Sequence, residues 1–341
     1  KDIVAGYEKK SGNKVDLQII QQTDLIVKMI AAMEAGDPPD LMQAVTGNSF
    51  LLPQSAWKNK LHDLSDVADT QKGKFLDSAL KSCAYWDDTL KKRMQYALPI
   101  KSATLMEEVW RPLIEEAGFS DKDIPKTQDA YFDFFQTVQD KLRTKGKRIF
   151  GLGFSMAAKE ADANNLFNSF LIAYGGARIV TPEGQLLADD PGIRKAAVTA
   201  LERLTAPYKK GYVPPGAINW SDPDNNNAFY AKQVVMTPNA TISIAVAQKD
   251  KGDVYTKEII THGVPLSNSG QPVESILGVT PAFIPKGAKN VDGGKDLLRY
   301  FIQPEVLNSY LKQARGRWSP VMMQNVKDDP FWMDPSDPHV P

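Results

Sequence analysis

The first 43 residues constrain the fold most, because their apolar spacing switches between the helical and the extended period. Ile3, Val4 and Tyr7 share one helical face, and the alternation in KVDLQII then predicts a strand. A second helical stripe runs from Leu25 to Met33, and GDPPDLM predicts its end and a short buried strand. Helices that alternate with strands through short loops indicate an α/β fold.

The composition excludes several classes of protein. The 341 residues are long enough for two ordinary domains, and 42% apolar and 24% charged residues are typical of globular proteins. Lys and Arg total 41, as do Asp and Glu, so no basic excess favours nucleic acid or an anionic membrane. No apolar run reaches the roughly 18 residues of a membrane span. The single Cys83 excludes an internal disulfide and leaves the redox compartment open. The opening KDIVAGYEKKSG contains no signal peptide. We expect such an opening for a mature or trimmed chain.

Apolar spacing predicts further elements along the chain. The predicted helices cover 105–117, 131–142, 164–174 and 190–210, and the predicted strands cover 96–100 and 148–154. The buried stripe of the second of these helices consists of Tyr131, Phe134, Phe135, Val138 and Leu142. Asp190 and Pro191 start the last helix as its N-cap and first helical residue. The end, DDPFWMDPSDPHVP, contains too much Pro and Asp for regular structure.

The stretch from Pro214 to Ile244 combines an aromatic ring with many short polar side chains. Around Trp220, the neighbours carry amide, hydroxyl or carboxylate groups: Asn219, Ser221, Asp222, Asp224, Asn225, Asn226 and Asn227. The C–H face of a sugar ring can pack on indole while its hydroxyls pair with Asp and Asn. A solvated loop of Asx turns explains the same composition.

The metal and cofactor motifs are incomplete. Asp222, Asp224 and Asn226 imitate the start of an EF-hand, but Asn227 and Gln233 stand where its Gly and bidentate Glu belong. A looser oxygen site for Ca²⁺ stays open. The three histidines form no metal-ligand pair, and GLGFSM has the spacing of neither a nucleophile elbow nor a dinucleotide fingerprint. We therefore expect no metal and no cofactor.

Two further groups of residues each have a functional and a structural interpretation. Four carboxylates are candidates for a glycosidase pair: Glu160, Asp162, Asp222 and Asp224. Nothing in the sequence gives two of them unequal environments, so solvated or capping carboxylates explain them as well. Arg317 and Trp318 can form a stacked recognition element or, equally, a helix end plugged by an aromatic ring.

Eight segments, in their order, resemble the extracellular solute-binding proteins of bacterial ABC transporters. Within these, they look like family 1, the carbohydrate-binding group that includes maltose-binding protein. The segments are YEKKSGNKVDLQ, MIAAMEAGDPPDLM, LHDLSD, YALPIKSATLMEEVWRPLIEEAGF, FNSFLIAYGG, AFYAKQVVMTPNATISI, GVPLSNSGQPVESILGVTPAFIPKGAKN, and YFIQPEVLNSYL with GRWSPV. Each is weak alone, but their order is specific and they cover nearly the whole chain.

The sequence departs from the family pattern in several places. The family's first strand would precede Lys1, and its C-terminal helices are not evident, as in a truncated chain. PNA at 238–240 stands where the family has an aromatic platform in Gly-Pro-Trp, which leaves Trp220 or Trp318 to replace it. Lys101 follows LPI, where a charge is unusual.

The resemblance implies an α/β fold of the two-lobed periplasmic binding protein class, type II. Each lobe is then a mixed sheet flanked by helices, and the ligand cleft lies between the lobes. Lobe one is expected at 1–102 plus 267–302, and lobe two at 103–263 plus 303–341. The expected hinge segments lie near 102–104, 263–267 and 302–304.

The resemblance also implies a function. We expect a periplasmic or lipid-anchored monomer that closes on a carbohydrate or polyol and delivers it to ABC permease subunits, without enzymatic chemistry. The expected ligand-binding residues of lobe one, with one beside the crossing, are Gln22, Asp24, Thr46, Asn48, Thr280 and Lys101. Those of lobe two are Glu160, Asp162, Asn164, Trp220, Asp222, Asn239, Arg317 and Trp318.

Three alternatives remain open. Lys101 and Arg317 would suit an acidic or phosphorylated solute in the same fold. Lys101 could instead pair with Glu160 or Asp222. A carbohydrate-active hydrolase or lyase is the third alternative.

Overall fold

A computed structural model describes residues 2–45, 47, 51–158, 160–177, 179–181 and 185–340, except for the side chains of Gln22 and Thr23. The chain divides into two compact units. The first unit comprises Lys1–Ala103 and Leu277–Asp334, and the second comprises Thr104–Ile276 and Pro335–Pro341. No helix in the described ranges is long and apolar enough to cross a membrane.

The strands and helices are numbered along the chain. The strands are β1 (Met42–Gln43), β2 (Ala84–Asp87), β3 (Lys92–Gln95), β4 (Ala97–Thr104), β5 (Met106–Trp110), β6 (Phe150–Leu152), β7 (Val234–Asn239), β8 (Ile259–Gly263) and β9 (Leu277–Phe283). The α-helices are α1 (Asp2–Ser11), α2 (Gln22–Glu34), α3 (Leu52–Trp57), α4 (Ser65–Asp69), α5 (Asp77–Lys81), α6 (Arg111–Glu116), α7 (Gln128–Thr144), α8 (Ala161–Ala173), α9 (Pro191–Lys209), α10 (Asp224–Tyr230), α11 (Ser243–Val246), α12 (Val291–Phe301), α13 (Pro304–Gln313) and α14 (Met323–Asp328).

The first unit contains a three-stranded sheet in the order β1–β9–β4 and a separate β2–β3 hairpin. Helix α1 packs near α12, where the Tyr7 hydroxyl donates to Asp296 Oδ2 at 2.8 Å. The predicted strand KVDLQII is wrong, because residues 12–21 form neither helix nor strand. A strand needs a hydrogen-bonded neighbour, and none of the described strands pairs with this segment. Its apolar side chains stay open to solvent, with Leu17 45% and Ile19 74% exposed.

The second unit is built on a four-stranded sheet in the order β6–β7–β5–β8. Strand β5 pairs antiparallel with both β7 and β8, and β6 runs parallel to β7. The prediction for the helix that is now α7 is confirmed, since all five residues of its predicted stripe are buried. The predicted start of α9 is also confirmed, because the Asp190 carboxylate accepts from the backbone N–H groups of Gly192 and Ile193.

The predicted helix at 105–117 is wrong in its first half. Residues Met106–Trp110 form β5, and only Arg111–Glu116 form a helix. Glutamate favours helices, so the sequence MEEVW is easily taken as the first part of the helix that follows it. Ladder hydrogen bonds on both edges of β5 override that preference. Consequently Glu107 and Glu108 are 1% and 0% exposed at the centre of the sheet.

The two units differ from the expected lobes in two segments. Residues 303–334 were expected in lobe two but lie in the first unit, where Ser102 and Ser319 form a β-bridge and the Leu76 N–H donates to the Val321 carbonyl. Residues 267–276 were expected in lobe one but lie in the second unit, where the Asp129 N–H donates to Asn268 Oδ1 at 2.9 Å. Each segment thus lies in the unit that contains its hydrogen-bonding partners.

Candidate functional site

A polar cluster in the second unit joins the starts of two helices to the end of one strand. Asp162 lies in the first turn of α8, Asn225 in the first turn of α10, and Asn239 is the last residue of β7. The Asn225 amide donates to Asp162 Oδ2 at 3.1 Å and to the Pro238 carbonyl at 3.2 Å, and it lies 3.5 Å from Asn239 Oδ1. The structure thus brings the predicted residues Asp162 and Asn239 together through Asn225.

Asn239 is held by its own side-chain hydrogen bonds. Its amide donates to the Thr241 carbonyl at 2.7 Å and to Ser243 Oγ at 2.8 Å, and the residue is only 5% exposed. Buried amides with several partners have a fixed orientation. Asn239 therefore supports the cluster more than it offers free donors to a ligand.

The carboxylates beside this cluster repel one another. Burial, followed by the charges of Asp222 and Glu160, raises the pKa of Asp162 to about 7, against the hydrogen bonds from Asn225 and the Ala240 backbone. Burial and the charges of Asp222 and Asp224 also raise the pKa of Glu160. A carboxyl group that is part protonated near neutral pH can both donate to and accept from a hydroxyl group.

The remaining predicted residues of this region have distinct surroundings. Trp220 is half-buried and packs against the hydrophobic core of the second unit, while Asp222 is exposed. The Asn164 amide donates to the Ala158 and Glu160 carbonyls at 3.2 and 2.8 Å, so it ties down the start of α8. The sequence prediction named no role for Asn225, although it lies in the polar run around Trp220, and that run was the available signal.

A second cluster, in the first unit, stacks two cations on one indole ring. Lys101 Nζ lies 3.7 Å from the centre of the Trp318 ring, and the Arg317 guanidinium carbon lies 5.1 Å from it. Lys101 is 9% exposed, and burial, followed by the nearby Arg317 charge, lowers its pKa to about 8. None of the ion pairs among the described residues includes Lys101. Arg317 and Trp318 were expected in lobe two, and they lie in the first unit with Lys101.

The other residues predicted for lobe one do not form a described cluster. Asp24, in the first turn of α2, pairs with Lys28 at 3.8 Å on an exposed surface. Thr280 lies in β9 and is 3% exposed. Thr46, Asn48 and the side chain of Gln22 lie outside the described residues.

Polar clusters at helix starts and strand ends stand where open α/β sheets usually bind their ligands. A family model described as "Bacterial extracellular solute-binding protein" matches residues 2–340. The chain belongs to this family of bacterial extracellular solute-binding proteins, whose members are substrate-binding transport proteins. Comparison with curated protein sequences gave no match.

Solved structures of sugar-binding transport proteins share the fold. A solute-binding protein of Thermotoga lettingae, bound with alpha-D-tagatose, is 23% identical with a TM-score of 0.77, over 97% of this chain and 81% of that one. A sugar transporter protein of Arthrobacter chlorophenolicus, with bound laminaribiose, is 16% identical with a TM-score of 0.77, over 99% and 79%. Maltose-bound MalE3 of T. maritima is 18% identical with a TM-score of 0.71, over 96% and 78%. The fold is therefore the two-lobed α/β fold of periplasmic binding proteins.

Proposed function

We propose that this protein is the receptor of an ABC importer, which binds a carbohydrate or polyol between its lobes and delivers it to the permease. The observation that carries the proposal is the Asp162–Asn225–Asn239 cluster, with the half-buried Trp220 a few residues before Asn225 in the chain. An indole face beside amide and carboxyl groups suits the two kinds of surface on a sugar ring. Similar proteins bind tagatose, maltose and laminaribiose, which supports a sugar ligand. We expect a monomer in the periplasm or anchored outside the cell by a lipid.

Titration calorimetry with tagatose, maltose, laminaribiose and mannitol tests the proposal. We expect at least one of these ligands to bind, and Trp220→Ala to weaken its binding at least about fivefold, since aromatic contacts contribute about 1 kcal/mol. Trp57→Ala is the matched control, because Trp57 is 54% exposed in the first unit. Absence of binding across the panel, or equal losses in both variants, would contradict the proposal.

A second candidate ligand is an acidic or phosphorylated solute, and Lys101 favours it. Lys101 is a buried cation beside a second cation, and it belongs to none of the ion pairs of the described residues. An anionic ligand would offset the free-energy cost of this buried charge better than a neutral ligand. Calorimetry with glucuronate against glucose separates the two ligand classes. Tight binding of glucuronate that Lys101→Met weakens about 10- to 100-fold would favour the acidic ligand. Glucose that binds as well as glucuronate would exclude this candidate.

We propose that binding involves no bond cleavage. The charges of Asp222 and Glu160 act on Asp162, and hydrogen bonds from Asn225 and the backbone of Ala240 already engage its carboxyl group. Incubation with the oligosaccharide that binds should leave it intact by chromatography. Release of a shorter sugar would establish a hydrolase or lyase instead.

A further inference from the structure

A buried chain of hydrogen bonds in the second unit connects its central strand β5 to His339. Thr261 Oγ1, on β8, lies 2.9 Å from Glu108 Oε2 on β5 and 2.6 Å from His339 Nδ1. The other ring nitrogen, His339 Nε2, lies 2.7 Å from the Tyr255 carbonyl. Glu108 is fully buried and His339 is 5% exposed. None of these residues belongs to the clusters described above.

The chemistry of the four groups allows two arrangements of the protons, and the first contains a neutral His339. The Tyr255 carbonyl can only accept, so His339 Nε2 donates to it, and in the neutral imidazole Nδ1 is then an acceptor. The single hydroxyl proton of Thr261 is therefore directed to Nδ1. The Thr261 oxygen is left as an acceptor for Glu108, which must carry a proton to donate.

The reverse proton arrangement contains the same number of protons. His339 as an imidazolium donates to Thr261, which donates to an ionised Glu108. Loss of one proton from either arrangement leaves two acceptors, the carboxylate and Nδ1, facing one hydroxyl proton. One hydrogen bond is then lost around a fully buried carboxylate, which is costly.

A second group of contacts anchors the segment around His339. Asp337 accepts from the Tyr255 hydroxyl at 2.6 Å, from Lys249 Nζ at 2.8 Å and from the His339 backbone N–H at 3.0 Å. The chain re-enters the second unit at Pro335, after its passage through the first unit. The chain passes from one unit to the other three times, and residues 335–340 follow the third of these passages. Their contacts attach the chain to the second unit at that point.

We propose that the Glu108–Thr261–His339 chain is a pH-sensitive latch, which holds residues 335–340 on the second unit while it retains its shared proton and releases them when that proton is lost. The latch is separate from ligand binding. The attachment of residues 335–340 to the second unit then depends on pH.

The pH window follows from two opposite shifts. Burial raises the pKa of Glu108 from 4.5 to about 8, and burial lowers the pKa of His339 below 6.5. An opening that returns both groups to water lets Glu108 release a proton above pH 4.5 and lets His339 take one up below pH 6.5. Below pH 6.5 the two effects on the opening equilibrium oppose each other, because one group releases a proton and the other takes one up. From pH 6.5 to about 8 only Glu108 contributes, and opening rises by up to about tenfold per pH unit before it levels off.

Several charged and titratable groups lie close to the latch. Glu107, the sequence neighbour of Glu108, also has a pKa raised by burial to about 8, and Tyr131 on α7 has a raised pKa beside both glutamates. Around His339, the charge of Asp337 raises its pKa and those of Lys249 and Arg111 lower it. Glu107 titrates in the same range, so it requires its own control.

Hydrogen exchange of the full chain tests the latch, with protection factors that remove the intrinsic pH dependence of exchange. In the wild type, we expect the protection of residues 336–340 to fall about tenfold from pH 6.5 to 8 and to change less than this from pH 5 to 6.5. Glu108→Gln keeps a donor for Thr261 but cannot ionise, so its protection should stay constant from pH 6.5 to 8 and fall below pH 6.5. Glu107→Gln is the matched control and should keep the wild-type profile.

A spectroscopic readout covers the case in which exchange at Glu108→Gln is altered by a change in folding. The chain has three histidines, so the His339 ring can be assigned by comparison with His339→Phe. In the wild type, its ¹⁵N signals should stay those of a neutral ring with Nε2–H and change once, with a midpoint near that of the exchange profile. A wild-type profile without change from pH 6.5 to 8, a fall that Glu108→Gln retains, or a fall that only Glu107→Gln removes would each overturn the proposal.

Discussion

Asp162 is the residue at which stability and binding are expected to oppose each other. Its carboxyl group has a pKa raised by burial and by the neighbouring charges of Asp222 and Glu160. A raised carboxyl pKa means that the native state holds a proton that the unfolded state has released. The protein therefore loses stability as the pH rises from about 4 to 7.

Asp162→Asn should remove this penalty. The amide oxygen still accepts from Asn225, but the side chain cannot ionise, so we expect the free energy of unfolding at pH 8 to rise by at least about 1 kcal/mol and ligand affinity to fall about tenfold or more. Urea unfolding at pH 5 and pH 8 measures the first effect, and calorimetry measures the second. Asp69→Asn, on an exposed helix end in the first unit, should change neither. A variant that loses stability at pH 8 would contradict the assigned cause.

The stacked cations permit a second prediction for single residues. Lys101 lies 3.7 Å from the centre of the Trp318 ring, so the two side chains should be coupled. In a double-mutant cycle with Lys101→Met and Trp318→Leu, we expect a coupling free energy of about 1–2 kcal/mol, as for a desolvated cation–π contact. Chemical unfolding of the four proteins measures it. Additive losses would show that the contact contributes nothing to folding.

At the scale of elements, two glycines decide how closely α7 and β7 approach β6. A Cβ added to Gly151 would clash with the Phe135 carbonyl oxygen of α7, and one on Gly153 would lie 2.9 Å from the Met236 carbonyl oxygen of β7. The Gly151 N–H also donates to Gln139 Oε1 at 2.6 Å. The pattern GLGFSM is thus explained by packing, which is consistent with its lack of a catalytic spacing.

Gly151→Ala should therefore destabilise the second unit by about 2 kcal/mol or more, because backbone atoms cannot yield to the new methyl group. Gly216→Ala is the control, since a Cβ there would meet no atom within 4 Å. Thermal and urea unfolding compare the two variants. Equal stability of both would show that α7 can move away from β6 without cost.

The elements also show how far the sequence alone could lead. The stripe from Tyr131 to Leu142 was predicted correctly, because one helix carries the whole amphipathic pattern. Strand β5 was not, because its glutamates favour a helix and only its two neighbouring strands reverse that preference. The alternation in KVDLQII suggested a strand, but alternation alone does not supply a pairing partner.

The candidate site was predictable to a similar degree. The run around Trp220 suggested a polar site, and Asp162 and Asn239 were named from the resemblance. Asn225, which joins them, was indistinguishable from its neighbours Asn226 and Asn227 until the fold placed it 3.1 Å from Asp162 Oδ2. Likewise, Lys101 lies more than 200 residues before Trp318 in the chain, and no local pattern could reveal their contact.

For the whole molecule, the proposed function predicts that ligand binding affects both units. A ligand that contacts the Asp162 cluster and the Lys101 cluster should protect the α8 start and the region around Trp318 from hydrogen exchange together. The stabilisation should grow with the logarithm of ligand concentration over Kd. Exchange with and without the best ligand of the panel measures this effect. Protection confined to one unit would contradict binding between the lobes.

The two buried glutamates of β5 also change the net charge of the folded protein. The sequence balances 41 basic against 41 acidic side chains, with an isoelectric point near 7.0. Glu107 and Glu108 both have a pKa raised to about 8 by burial, so at pH 7 they remain largely uncharged. The native protein should therefore migrate as a cation at pH 7, and unfolding should release protons into the solution. Isoelectric focusing should therefore give a higher isoelectric point for the native protein than for the unfolded protein.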